Sequence, residues 1–100
     1  MKTLADFKRR LVPGLAVRVE FPTTTIHGNT QDSVFPARTV TRKVHSVSSS
    51  MLIWESEREP GKAGSRLDWP KADCLTFNGN AVAVAHEAGG KPFATYHFDA

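Results

Sequence analysis

The chain has 100 residues and a mass of 11.0 kDa, with 40% hydrophobic and 23% charged residues, within the ordinary range for a globular domain. By area scaling, such a chain exposes roughly 5,600 Å² folded against about 16,000 Å² extended, enough burial for one modest core and not for two. No apolar run approaches the ~20 residues that span a bilayer. No secretory signal is read at the basic N-terminus, and the single Cys74 excludes an internal disulfide and fits a reducing compartment. The expectation is one cytoplasmic domain over residues 1–100, without membrane contact.

Thirteen basic and ten acidic residues give a net charge of +3, distributed unevenly. Residues 1–45 carry eight Lys/Arg against three acids, whereas residues 46–100 carry five against seven. A basic first half suggests a face that meets phosphate or an acidic protein.

Thr3 followed by Asp6 has the form of a helix N-terminus, a hydroxyl cap and then an acid near the positive end of the helix dipole. Leu4, Phe7 and Leu11 fall on one face, and Pro13-Gly14 stops the element, so residues 3–11 are predicted to form a short amphipathic helix. Leu15, Val17, Val19 and Phe21 alternate with Arg18 and Glu20, the period-two pattern of a strand over 15–21. Residues 22–36 then read as a long polar loop.

A second strand over 37–47 changes parity between Val44 and Val47, which predicts a bulge. Serines at 46 and 48–50 make the next turn, and a third strand returns over 51–57. Residues 58–65 form an exposed loop, and a fourth strand covers 65–69 up to Pro70. Asn78-Gly79 is a strong hairpin signal between strands at 74–77 and 81–85. The tail 86–100, with Phe93, Tyr96 and Phe98, reads as a last edge strand or a flap.

One short helix and five or six closely spaced strands indicate a mainly β (α+β) fold, an antiparallel SH3-like barrel or half-barrel, with an OB-like barrel as the alternative. The expected core comprises Leu4, Phe7, Leu11, Val17, Val19, Val40, Val44, Leu52, Trp54, Leu67, Trp69, Leu75 and Phe77.

The residues that carry chemistry are few. His27, His45, His86 and His97 lack the spacing of a local zinc site, and no second cysteine exists, so neither a metal nor a cofactor is expected. Cys74, alternating with Leu75 and Phe77, is expected to point away from the core. No Gly-x-Ser-x-Gly or phosphate-cradling loop is present, and an enzyme is not expected. The nucleic-acid reading places phosphate on Arg9, Arg10, Arg18, Arg38, Arg42 and Lys43, with Arg18 and Arg42 on the outer faces of adjacent strands and Trp54, Trp69 or Tyr96 as stacking platforms. The competing reading is a protein-binding module whose loops supply the contacts.

The succession of helix, Pro13-Gly14, Leu15–Phe21, Arg38-Thr39-Val40-Thr41-Arg42-Lys43-Val44, Trp69-Pro70-Lys71-Ala72 and an Asn-Gly hairpin is similar to small uncharacterised proteins encoded by bacteriophages and mobile elements. The similarity covers roughly residues 3–85 and leaves out the aromatic tail. It implies a bacterial cytoplasm and an accessory role, exercised by binding nucleic acid or a host protein rather than by catalysis.

Overall fold

Helix α1 runs from Leu4 to Arg10, and its ends are set locally. The Thr3 hydroxyl accepts the Asp6 backbone N–H at 3.1 Å, and Lys8, Arg9 and Arg10 fill the last turn. The backbone N–H of Lys2, and then the Arg9 guanidinium, hold the Asp6 carboxyl down at about 2. Phe7 and Leu11 point inward from this helix and are fully enclosed.

Beyond the helix, the computed structural model, which describes residues 1–98, is built from strands. These are β1 (Ala16–Phe21), β2 (Thr24–His27), β3 (Asp32–Phe35), β4 (Arg38–Val47), β5 (Met51–Glu55), β6 (Ala63–Asp68), β7 (Leu75–Asn78), β8 (Ala81–Ala85) and β9 (Pro92–His97). Seven of them form one antiparallel sheet in the order β6-β5-β4-β1-β9-β8-β7. The fold is mainly β, as expected, but β6 and β7 do not pair, and the sheet is open rather than closed into a barrel.

The sheet is nevertheless strongly curved. Trp54 on β5 and Tyr96 on β9 are separated by two intervening strands, a distance of about 14 Å in a flat sheet. Their rings stack with centroids 5.9 Å apart. The apolar face has therefore curled onto itself, and α1 plugs one end of the curl. Phe7 meets Trp69, Tyr96 and Phe98 at centroid distances of 6.2, 5.8 and 6.0 Å. Every residue of the expected core belongs to this cluster or packs against it, and Val82, Val84, Ala94, Tyr96 and Phe98 join them.

Four expectations are corrected. The tail is not an edge: β9 lies between β1 and β8, with Ala94, Tyr96 and Phe98 buried, while residues 99 and 100 of that segment lie outside the described residues. The segment 22–36 is not a loop but the hairpin β2–β3. Its pair Thr24–Phe35 lies three residues beyond the β1–β4 pair Phe21–Arg38 on each strand, so it continues that ladder past the interruptions at Pro22 and Pro36. Cys74 sits in a 3-10 turn (Ala72–Cys74) that breaks the alternation and buries it. Finally, the β7–β8 loop is Gly79-Asn80, one residue later than expected, with Gly79 at φ 62°, as a type II′ turn requires at its first central position.

The bulge read from β4 is present: the register with β5 shifts between Val44 and Ser46. Elsewhere β5 ends at Glu55 and β6 begins at Ala63, so the third strand is shorter and the fourth longer at its start than expected. The radius of gyration, 14.3 Å, exceeds the ~13 Å of a close-packed domain of this length. All eight strand residues of β2 and β3 are exposed, which accounts for an arm reaching beyond the sheet.

Phe7→Ala should lower unfolding free energy by about 3–5 kcal/mol, because three aromatic neighbours cannot collapse into the space left. Urea denaturation checks this, and a loss below about 1 kcal/mol would show that Phe7 does not organise the core.

Candidate binding surface

The β1–β4 register decides where the basic residues go. Val17 opposes Arg42, Val19 opposes Val40, and Phe21 opposes Arg38. Opposed residues share a face, so Arg38 and Arg42 project on the concave side with buried Val17 and Val19. Arg18, opposite Thr41, and Lys43, opposite Ala16, take the convex side. The expectation that Arg18 and Arg42 share an outer face is thereby corrected: they lie on opposite sides of the sheet. The even-numbered positions of β1 face outward, whereas the even-numbered positions of β4 up to the bulge at Val44 face inward.

The remaining two basic residues stay on the helix. Arg9 pairs with Asp6 at 2.6 Å, and the Arg10 guanidinium lies 5.4 Å from the centre of the Phe98 ring. The six predicted residues thus occupy three surfaces, two on each, and of these pairs Arg38 and Arg42 share an aromatic ring. Both guanidinium groups lie over the Phe21 ring, at 5.0 and 5.7 Å from its centre.

The three candidate stacking platforms are engaged internally, in keeping with the expected place of Trp54 and Trp69 in the core. Trp54 stacks on Tyr96. Trp69 is half-buried, donates its indole N–H to the Ser48 carbonyl at 2.8 Å, and carries Lys8 over its face at 5.2 Å. Burial pushes the Tyr96 phenol up to about 12, against the opposing pull of the Arg42 charge. The exposed aromatic ring is instead Phe35, 53% accessible, beside Ile26 at 55% and Val34 at 63%.

These apolar residues lie on the β2–β3 arm, which sequence reasoning took for a polar loop. Thr24 pairs with Phe35 and Ile26 with Ser33, placing Phe35 and Ile26 on one face of the arm. With Phe21, Pro22, Pro36 and Arg38 they line a groove of about 520 Å³ where the arm leaves the sheet. On the other face the His27 ring contacts the Asp32 carboxylate at 3.1 Å near the tip. The missed signal was the pair of short runs rich in β-branched and aromatic residues, Thr24-Thr25-Ile26 and Val34-Phe35, on either side of Gly28-Asn29.

A second, wider cleft of about 680 Å³ lies between Trp69–Lys71 and the end of β8. Here the Cys74 thiol donates to the Asp73 carboxylate at 3.7 Å, and His86 stacks on Phe93 at 4.2 Å. The other histidines have local partners: His45 contacts the Ser46 hydroxyl at 3.0 Å, and His97 the Glu20 carboxylate at 3.1 Å. Among the described residues no three metal-ligating side chains converge, and no helix is long and apolar enough to cross a membrane. No protein-family model matches the chain, and no curated protein or solved structure matches it significantly.

Two outcomes follow from this arrangement. The double substitution Ile26→Ser with Phe35→Ser should change stability by no more than about 0.5 kcal/mol, because both side chains are exposed outside the core; thermal unfolding measures this. Tyr96 has a folded value above its unfolded value near 10, so its contribution is intact below pH 10 and is lost as pH rises towards about 12. Stability should fall there by about 2–3 kcal/mol, and Tyr96→Phe should remove that part of the alkaline slope in pH-dependent denaturation.

Proposed function

We propose that this chain is a non-enzymatic binding module that engages a protein partner through the β2–β3 arm. The observation that carries the reading is the exposure of Ile26 and Phe35 on one face of an arm against which no other described strand packs, with exposed Val34 on the reverse face. Contiguous exposed apolar groups on a rigid support mark interaction sites, and aromatic residues are enriched at such contacts. Arg38 at the rim of the groove adds a positive charge, which suits a partner segment that combines apolar and acidic side chains. In the mobile-element setting implied by the sequence resemblance, that partner is a host protein.

A second reading, nucleic-acid binding, is favoured by one feature. Arg38 and Arg42 share the Phe21 ring close to exposed Phe35, so phosphate and base contacts could meet on the concave rim. The separation of the other four basic residues onto the helix and the convex face supports the protein reading over it.

The two are separated by one comparison. Affinity capture from bacterial extract with the wild-type chain should retain a specific protein that is lost with Ile26→Ser/Phe35→Ser at unchanged fold. An identical set of captured proteins from both would remove the arm from the function. In parallel, labelled single- and double-stranded oligonucleotides titrated at ~50 mM salt should show no tight binding. Affinity that falls steeply with salt and with Arg38→Ala/Arg42→Ala would instead establish the nucleic-acid reading.

A further inference from the structure

Arg42 is in an unusual position for a cation. It projects from the middle of β4 onto the concave face, opposite Val17, which is fully buried. Its Nη1 donates to the Ser65 hydroxyl at 2.7 Å, and its guanidinium lies over Phe21. Its Nε is enclosed and has no hydrogen-bond partner. No carboxylate pairs with it among the described residues, although Arg9 and Lys62, both far more exposed, each have one. Glu55 and Glu57 line neighbouring clefts without forming an ion pair with it, so on the concave side the guanidinium charge is unmatched, and an anion seated there would pair with it.

The space for such an anion adjoins it. Inside the curl is a partly enclosed cavity of about 170 Å³, lined by Arg42, Ser65 and Arg66 and by the rings of Phe21, Trp54 and Tyr96. No acidic side chain lines it. The wider cleft next to it carries Asp68, Asp73 and Glu87 against Arg66 and Lys71, so its lining is net acidic where that of the inner cavity is basic. At ~30 Å³ per water, the cavity has the volume of five or six waters, about one small ring with its carboxyl group.

We propose that this cavity is a binding site for a small aromatic monocarboxylate, held by Arg42 and Ser65 through its carboxylate and by the surrounding rings through its flat body. The guanidinium fork matches a carboxylate in two parallel hydrogen bonds. The Tyr96 phenol stays protonated at neutral pH and adds a hydroxyl to the lining. The aromatic walls select a ring over an aliphatic acid or an inorganic ion. The site is separate from the β2–β3 arm and does not rest on the arm's proposed role.

Benzoate is the probe. With the whole chain, an affinity on the order of 1 mM is expected for a ligand of this size. At ~10 mM it should raise the melting temperature by roughly 5–10 °C. In ¹H–¹⁵N spectra the Arg42 Nε–H resonance should move on titration. Arg42→Gln should abolish both effects. Because that change also removes the contact on Phe21, Arg42→Lys is the second variant: it keeps the charge, loses the fork, and should weaken binding at least about tenfold. Ile26→Ser/Phe35→Ser should bind benzoate like the wild type. Three results would overturn the proposal: no shift with benzoate, equal binding by Arg42→Lys, or an equal response to benzyl alcohol or inorganic phosphate.

Discussion

One short helix cannot cover seven strands, and the architecture follows from that mismatch. Six inter-strand spacings make the sheet about 29 Å wide, whereas a seven-residue helix is only about 10 Å long. A flat sheet would leave most of Val17, Val19, Val44, Leu52, Val82 and Val84 in water. The sheet instead curls until side chains from distant strands meet, and the Trp54–Tyr96 stack is where that closure is tightest. The β4 bulge and the register shifts along β5–β6 and β8–β9 supply the bending that regular pleating does not. Phe7 then needs only to plug one end, which a helix of two turns can do.

Curling also determines what a charge on the inner face experiences. On a flat, wet face Arg42 would be one more surface cation. On the concave side of a curled sheet it is flanked by Phe21, Trp54 and Tyr96, and its nearest polar partner comes from β6, two strands away. The same bend that stabilises the core by bringing apolar rings together confines the guanidinium among them. Arg38, four residues earlier and at the rim, keeps its exposure while sharing the same Phe21 ring. Two arginines of the same strand and face thus have different environments, set by depth in the curl.

Local signals in the sequence were legible and non-local ones were not. Thr3, Asp6, Phe7 and Pro13-Gly14 specify the helix within twelve residues, and the alternation from Leu15 to Phe21 specifies β1 without reference to anything else. Even the β4 bulge is written in the spacing of Val44 and Val47. The place of β9 is different, because its pairing with β1 joins residues as distant as Arg18 and His97, 79 apart. Ala94, Tyr96 and Phe98 do alternate with Thr95 and His97, but a strand beginning at Pro92 looks like an edge, and nothing local says it has two neighbours. The arginines failed for a related reason: which face a residue takes is clear from parity within a strand, but parity cannot be carried from β1 to β4 without their register. Six cations that looked like one stripe in the chain were consequently divided among three surfaces.

The arm shows that the exposed apolar residues are placed with restraint. An unpaired hairpin of two four-residue strands is marginal on its own. Here it grows out of the β1–β4 ladder in register, and the Thr23 hydroxyl accepts the Ala37 N–H at 3.2 Å across the gap left by Pro22 and Pro36. A long, flat and hydrophobic edge would invite indiscriminate strand pairing. This edge is only four residues long, rich in threonine, interrupted by proline at its base and closed near its tip by the His27–Asp32 pair. What remains attractive is therefore the side chains of Ile26, Val34 and Phe35 rather than the backbone. On the proposed reading, a surface that offers side chains while withholding its strand edges discriminates by shape and charge, and a protein partner would have to match the groove beside Arg38.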